Sequence, residues 1–533
     1  MDLMLALGSR LGLIVQLTKE NSLWTTFLAV TVLVLGKCLM DAFQRKRLPP
    51  GPRAWPIFGN MFNLGPLPWS YTFLRELARK HGGLMYLRMG SIPCIVISSS
   101  SMAKEVVINH DQQFAFRPVR LFSNTLCKCK DITTSYGPNW RHLRLICTSQ
   151  FFTKKRISMY EAGRTEEVHT LIKQILRKSG SREDSVVDLP FQLKYTTTNI
   201  ISRMVFNKRL FVEGDECNLQ EAKRYQEVIS LHFRTYAVFV ISDYFPSLSF
   251  ITDAQGMKEK MQKVVEQIYK ALDEIIDFEE HHRRRMDHAN DPEADRDQDF
   301  VDLLLATPSH DGVGTLDHET IRGIVMNMLI AGTETQASTL EWAMAYLLQH
   351  PDVMKQAQAE LDNVVGTQRI VQESDLEHLP YLGAVIKEVS RMQPGAPMSI
   401  YHESREKSRM AGYDLPARTR LIFNIHAINR DPCVYDRPDK FDPSRFLRPQ
   451  GSSHDSFQFM TYGAGRRICP GMPLATLNMA HILAHMLHSF DWKLPGDQDP
   501  QDLDMTAKFD GLTAPKKYPL LIIPQPRLPA FLY

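Results

Sequence analysis

The segment Tyr462-Gly463-Ala464-Gly465-Arg466-Arg467-Ile468-Cys469-Pro470-Gly471 frames one cysteine with glycines and arginines, just ahead of a long helical stretch. A thiolate at a loop-to-helix junction is held as an anion by the positive end of the helix dipole, and Pro470 suits a first helical turn. Such a sulfur is a soft, electron-rich metal ligand. Gly465 and Gly471 permit positive φ and close approach of the backbone to something large and flat, while Arg467 can reach an anionic edge. A haem with its propionates meets both conditions. A buried structural cysteine in a glycine-rich turn meets them as well, and the loop alone leaves both open.

Residues 323–340 form an apolar helical pattern interrupted by Ala331-Gly332-Thr333-Glu334-Thr335-Gln336. Gly332 removes a side chain and lets a planar ligand or dioxygen lie against the backbone, Thr335 can hold a water, and Glu334 can renew its proton. A kinked core helix with threonine bonded back to a carbonyl is the alternative. Glu388 and Arg391, three apart on a helical pattern over 381–392, share a face and suit a buried charge pair. The same spacing recurs at Glu161/Arg164, Glu280/Arg283 and Glu293/Arg296, so it selects nothing alone. Trp140 and Arg144, four apart, also share a helical face.

The cysteine segment resembles the ligand loop of the cytochrome P-450 (haem-thiolate monooxygenase) family, Phe-x-x-Gly-x-Arg-x-Cys-x-Gly, with Tyr462 in the Phe position. A phenol there brings a hydrogen-bonding group beside the sulfur, which would shift the iron's potential. Ala331 to Gln336 resembles the family's oxygen-activation motif, with Gln336 replacing the last small hydroxyl. Glu388-x-x-Arg391, then Phe441-Asp442-Pro443-Ser444-Arg445-Phe446, then the cysteine loop follow in the family's order. The resemblance spans residues 48–533 and is strongest to plant A-type microsomal members.

It implies haem b with Cys469 as axial thiolate; Trp140, Arg144 and His402 toward the propionates; and Tyr462, Gly465, Arg467 and Gly471 in the haem loop. Glu334, Thr335 and Gly332 would serve dioxygen activation, and Glu388, Arg391 and Arg445 would lock the core behind the haem. The electrons would come from NADPH through NADPH–cytochrome P-450 reductase, an acidic partner steered by Arg141, Lys154, Lys155, Arg156 and Arg466. The implied reaction inserts one oxygen atom of O2 into a lipophilic substrate. Regions 119–136, 231–250, 397–401 and 511–514, apolar with scattered hydroxyls, suggest a small specialised metabolite of terpenoid or phenylpropanoid type. The ending Pro526-Arg527-Leu528-Pro529-Ala530-Phe531-Leu532-Tyr533 resembles plant members that N-hydroxylate amino acids to oximes. A reductase-independent haem-thiolate isomerase or dehydratase is a further alternative, which the Glu334-Thr335 pair argues against.

The elements that must hold these residues are mostly helical. Residues 84–89 and 94–98 read as a hairpin punctuated by Gly90 and Pro93, while most of 99–361 has three- and four-residue apolar spacing. A mainly α fold with a smaller β region follows, an α+β class. The 533 residues contain no interior linker, and a net charge of +3 gives no basis for nucleic-acid binding. Eight cysteines without framework spacing suit a reducing compartment, and the Cys127/Cys129 pair has no second pair to complete a metal site. The charged stretch 279–299, with His281, reads as a solvated helix end and loop.

Residues 23–36 carry no charge and, with their neighbours, approach a membrane span; Arg45, Lys46, Arg47 and Arg53 follow. This pattern predicts a single-pass anchor in the endoplasmic reticulum membrane, with lipid as a partner and the catalytic domain cytosolic. Residues 3–18 are also apolar but hold Arg10, which suits an interfacial helix or a second anchoring piece. The expected plan is an anchor and basic flank over 1–47, a proline-rich hinge over 48–60, and a single haem-binding domain over 61–533.

Overall fold

The computed structural model describes residues 47–64, 70–128, 130–179, 186–211, 238–254, 256–281, 298–447, 457–509 and 511–533, with short pieces of 225–236 and residue 283. The expected anchor, residues 23–36, lies outside them. No helix among the described residues is long and apolar enough to cross a membrane. The proline segment lies against the first strand: Tyr86 N donates to Pro50 O at 2.8 Å, and a Cβ on Gly51 would sit 2.0 Å from Tyr86 O.

The main sheet joins β1 (Leu84–Met89), β2 (Ile92–Ile97), β7 (Arg420–Phe423) and β4 (His402–Glu403), in that order. β1 and β2 form the expected hairpin, Met89 opposite Ile92, turning at Gly90 with φ 62°. β2 runs parallel to β7, and β7 antiparallel to β4, which puts His402 opposite Leu421 on the sheet's edge. Two smaller sheets pair β3 (Val187–Asp188), β9 (Leu521–Pro526) and β8 (Phe490–Lys493), and β5 (Ser408–Met410) with β6 (Tyr413–Leu415).

The helices that position the site, in chain order, are α1 (Tyr71–His81), α2 (Pro138–Ile146), α3 (Glu161–Ser179), α4 (Leu189–Phe206), α5 (Met257–Ile276), α6 (His318–Gln349), α7 (Pro351–Val364), α8 (Pro380–Met392) and α9 (Met472–Ser489). α6, 32 residues long, starts where the Asp317 carboxylate accepts from Thr320 N, an N-cap that satisfies an orphan donor. It is apolar on nearly every side because it crosses the interior. Its C-terminal half packs in one core with α3, α7, α8 and α9, and its N-terminal half in another with α5 and the end of α4.

α6 runs as one unbroken helix through Ala331 to Gln336. Thr335 Oγ1 donates to Ala331 O at 2.6 Å and Gln336 Nε2 to Gly332 O at 2.6 Å, so both donors are used within the helix, while Gln336 Oε1 is buried without a partner. Gly332 answers a packing demand as well: a Cβ there would meet the Ile201 side chain of α4 at 2.8 Å.

The charge pair on α8 is fully buried, with Arg391 Nε 2.7 Å and Nη2 2.8 Å from the two Glu388 oxygens. Arg445 Nε completes the triad at 3.0 Å from Glu388 Oε1, which also accepts from Asp442 N. Arg391 Nη1 reaches Asn429 O and Pro438 O. Asn429 in turn accepts from Met460 N, and Thr461 Oγ1 donates to Ser390 O. The triad thus tethers the start of the cysteine loop.

The expectation of a solvated stretch at His281 is corrected. His281 is fully buried, its Nδ1 2.7 Å from Asp302, which forms a capping box with Asp299 at the start of the helix Phe300–Ala306. The ring belongs to a helix cap, which is why a charged neighbourhood misread its exposure.

Candidate active site

The cysteine loop is built by two glycines with positive φ, Gly463 at 72° and Gly465 at 66°. They let the chain double back so that Cys469 N donates to Tyr462 O at 2.8 Å. A Cβ on Gly465 would meet Asp111 Oδ1 at 2.6 Å, and Asp111 pairs with Arg466, Nε to Oδ2 at 3.1 Å. Gly465 therefore serves the closure of the loop on Asp111 and is not a wall of the cavity. Gly471 has an ordinary φ of −83°, and its missing side chain leaves room beside Phe152 and the Cys469 sulfur, 3.9 Å from where a Cβ would stand. α9 starts at Met472 with Pro473 in its first turn, so Pro470 precedes the helix instead of opening it.

The Cys469 sulfur faces a cavity of about 390 Å³ between this loop and α6. Burial pushes its thiol up, against the N–H groups of Gly471 and Met472 and the charge of Arg144, all of which favour the thiolate. The helix start alone therefore does not ionise it; a bound cation would. Tyr462 lines the cavity, its hydroxyl 3.4 Å from Thr476 Oγ1.

Opposite the need for a cation at sulfur, the cavity's edge offers cations in excess. Arg467 donates to Ala115 O at 2.9 Å and Ser135 O at 2.6 Å, and lies 4.1 Å over the ring of Trp140. Burial, with Arg117 and Arg144 nearby, pulls its pKa down to about 8, Asp131 opposing. Arg117, held by Ile400 O and Tyr401 O, is lowered to about 10 by burial. Arg144 Nη2 donates to Ile468 O at 2.6 Å, and burial lowers it too. His402 Nδ1 lies 2.9 Å from Phe114 O, and burial together with Arg117 keeps the ring neutral. Three crowded guanidiniums around one carboxylate call for added anionic charge. A flat group with a cationic centre over the sulfur and anionic edges at these arginines fits the residues present, and haem is such a group.

Of the residues singled out by sequence, Gly332, Thr335, Arg144, His402, Arg467 and Cys469 share this cavity, with Tyr462 and Gly471. Trp140 stands behind it, its Nε1 donating to Ile132 O at 3.2 Å. Glu334 is on another side of α6, paired with Lys194 Nζ of α4 at 3.0 Å. Of the five proposed steering cations, Arg141, Lys154 and Lys155 are exposed, and Arg466 is half exposed and paired with Asp111. Arg156 is buried and donates to Gln298 O, so it offers no surface charge. Arg117 and Asn327, which accepts from Thr133 Oγ1 at 3.0 Å, are cavity residues that carried no spacing signal.

The cytochrome P450 family model matches residues 49–522. Cytochrome P450 703A2 of Arabidopsis thaliana is 35% identical over 514 residues, 95% of this chain and 98% of its own. The flavonoid 3'-monooxygenase CYP75B137 of Crocosmia x crocosmiiflora is 34% identical over 94% of this chain and 98% of its own, and tabersonine 6,7-epoxidase isoform 1 of Catharanthus roseus 36% over 93% and 96%. A zebrafish cytochrome P450 solved with abiraterone superposes with a TM-score of 0.68 at 25% identity, over 87% of this chain and all of its own. The fold and the cavity are those of a haem-thiolate enzyme. The chain belongs to the cytochrome P450 family. It is a monooxygenase whose family binds haem through a cysteine thiolate and uses O2, a lipophilic substrate and electrons from a redox partner.

Proposed function

We propose that this protein hydroxylates a small lipophilic specialised metabolite of terpenoid or phenylpropanoid type. The observation that carries this reading is the cavity itself: a cysteine sulfur on one wall, and around the space beside it apolar side chains with a few hydroxyls. Phe122, Leu126, Met328 and Met398 supply the apolar part, Ser123 and Thr133 the hydroxyls. Relatives named for flavonoid hydroxylation and tabersonine epoxidation support such a substrate.

In this reading Cys469 would ligate the iron, Arg144, Arg467 and His402 would hold the propionates, and Trp140 supports Arg467 from beneath. Haem, when bound, supplies the reductive activation of dioxygen. Thr335 presents its hydroxyl oxygen to the cavity while its proton rests on Ala331 O, and Gly332 keeps the helix close to α4. Glu334, paired with Lys194 of α4 and off the cavity wall, would serve as the residue that renews the proton of a water held at Thr335. A microsomal NADPH-dependent reductase docks near Arg141, Lys154 and Lys155. The uncharged run at residues 23–36 supports an endoplasmic reticulum anchor, and exposed Trp55, Ile57, Phe58 and Phe62 sit just beyond it in the chain.

The C-terminal segment contributes no wall to this cavity; Tyr533 OH accepts from Arg527 N at 3.1 Å against the end of α9. Its likeness to oxime-forming members is met by a packing role, and amino-acid N-hydroxylation has no separate support.

Co-expression with a microsomal reductase and a mixed panel of terpenoids, phenylpropanoids and amino acids tests the reading. NADPH-dependent hydroxylated terpenoid or phenylpropanoid is expected, and turnover of amino acids alone would overturn it. Cys469→Ser is expected to abolish the red-shifted Soret band of the reduced carbonyl complex; its retention would refute ligation by Cys469.

A further inference from the structure

A second constellation stands apart from the haem cavity, where α9 meets α3. His481 and His485, one turn apart on α9, bring their Nε2 atoms to 3.1 Å, with ring centroids 4.8 Å apart. The His169 ring of α3 lies 5.3 Å from that of His485, and its Nε2 is buried with no hydrogen-bond partner. His169 also lines a surface cleft with Glu161, Glu166, Thr170 and Lys173, so it stands between that cleft and the His481/His485 pair.

The protons on these rings are in conflict. The His485 ring also bonds the Val371 backbone, which fixes a ring N–H there and leaves its Nε2 as an acceptor. His481 must then donate from Nε2, so its Nδ1 carries a bare lone pair. That atom is buried and has no hydrogen-bond partner, yet it lies 3.9 Å from a Glu373 carboxylate oxygen, lone pair toward anion. Arg164 does not relieve it, because its guanidinium is already spent on Glu373, Nη2 to Oε1 at 2.7 Å.

We propose that His481, His485 and His169 form a binding site for a borderline divalent cation of the zinc type. Two imidazole nitrogens on one tetrahedral ion at about 2.0–2.1 Å stand roughly 3.3 Å apart, close to the spacing already present. The ion takes both Nε2 lone pairs. The His481 proton moves to Nδ1, where it faces the Glu373 carboxylate 3.9 Å away, and His485 keeps its N–H toward Val371. The tautomer of His481 is then favoured by an anion and that of His485 by a backbone carbonyl. His169 turns in from the cleft wall as third ligand, and the cleft supplies the path for the ion and for a water in the fourth position. Glu373 neutralises Arg164, so the cation nearest the pair is already compensated.

The test uses the untagged, haem-loaded full chain, stripped with chelator and titrated with Zn2+ by calorimetry, with elemental analysis after dialysis. One zinc per chain beyond the haem iron is expected, with a rise in the unfolding midpoint that chelator reverses. His169→Ala, a change on the cleft wall, is expected to weaken binding on the order of tenfold, and His485→Gln to abolish it. If His485→Gln fails to fold, His169→Ala decides. Absence of zinc uptake, or uptake that the histidine variants leave intact, would overturn the proposal.

Discussion

Arg467 is a half-buried cation whose pKa burial and two neighbouring arginines pull down to about 8, a cost that an anion placed beside it would offset. Cys469 is its counterpart, a thiol that burial keeps protonated until a cation reaches it. Each residue is incomplete in the direction the other side of a haem would supply. Thr335 differs, because its proton is already committed to Ala331 O, leaving oxygen lone pairs toward the cavity. It suits a residue that accepts a hydrogen bond from a water and so holds that water, as the proton carrier, in the cavity. Thr335→Ala is expected to leave NADPH oxidation running while product falls on the order of tenfold and peroxide rises. Thr335→Ser should restore most of the coupling. Equal product per NADPH in wild type and Thr335→Ala would remove the hydroxyl from proton delivery.

At the scale of elements, α6 and α4 meet where Gly332 has no side chain. Gly332→Ala is expected to destabilise by about 1–3 kcal/mol through overpacking against Ile201. Ile201→Ala in the same chain should recover part of that loss, so a urea-unfolding double-mutant cycle showing simple additivity would deny the contact. The buried triad behaves differently, since Glu388→Ala strands Arg391 without a carboxylate. A loss of about 3–5 kcal/mol is expected, read as reduced haem-loaded yield, because the same network holds the cysteine loop. The helical patterns of α6 and α8 were legible from spacing because i to i+3 and i+4 relations are local, whereas Thr335 and the Glu388/Arg391 pair stood out only through a polar break in an apolar run and the family's order of motifs. Which way a residue faces was not. Glu334 follows Thr333 and precedes Thr335, yet its partner Lys194 is on a helix far away in the chain. Gly465 carried the right residue type, but the atom that requires it, Asp111 Oδ1, belongs to the short helix Asp111–Phe114 long before it.

Across the whole molecule, the sheet edge, the α6 crossing and the cysteine loop come from three distant parts of the chain, and only the family's order of motifs joined them in advance. Arg117 escaped notice for that reason: its partners Ile400 and Tyr401 lie near β4. The same long-range closure creates a pH dependence at Glu341. This carboxyl of α6 is 2% exposed and accepts from Leu520 N at 3.0 Å, just ahead of β9. Burial raises its pKa from 4.5 to about 7, opposed by the Leu520 N–H, Lys516 and Lys194 and assisted by Glu334. The folded chain therefore holds a proton that the unfolded chain releases between about pH 4.5 and pH 7. The protonated form's contribution is fully present below that window and is lost as pH rises through 7, a fall of up to about 3 kcal/mol. Glu341→Gln keeps an oxygen for Leu520 N and removes the charge. Urea unfolding at a series of pH values is expected to show wild type losing stability relative to this variant from acid to neutral pH, with the gap constant above the window. Parallel curves would mean that Glu341 titrates as it does in the unfolded chain, and that closing β9 over α6 leaves its carboxyl solvated.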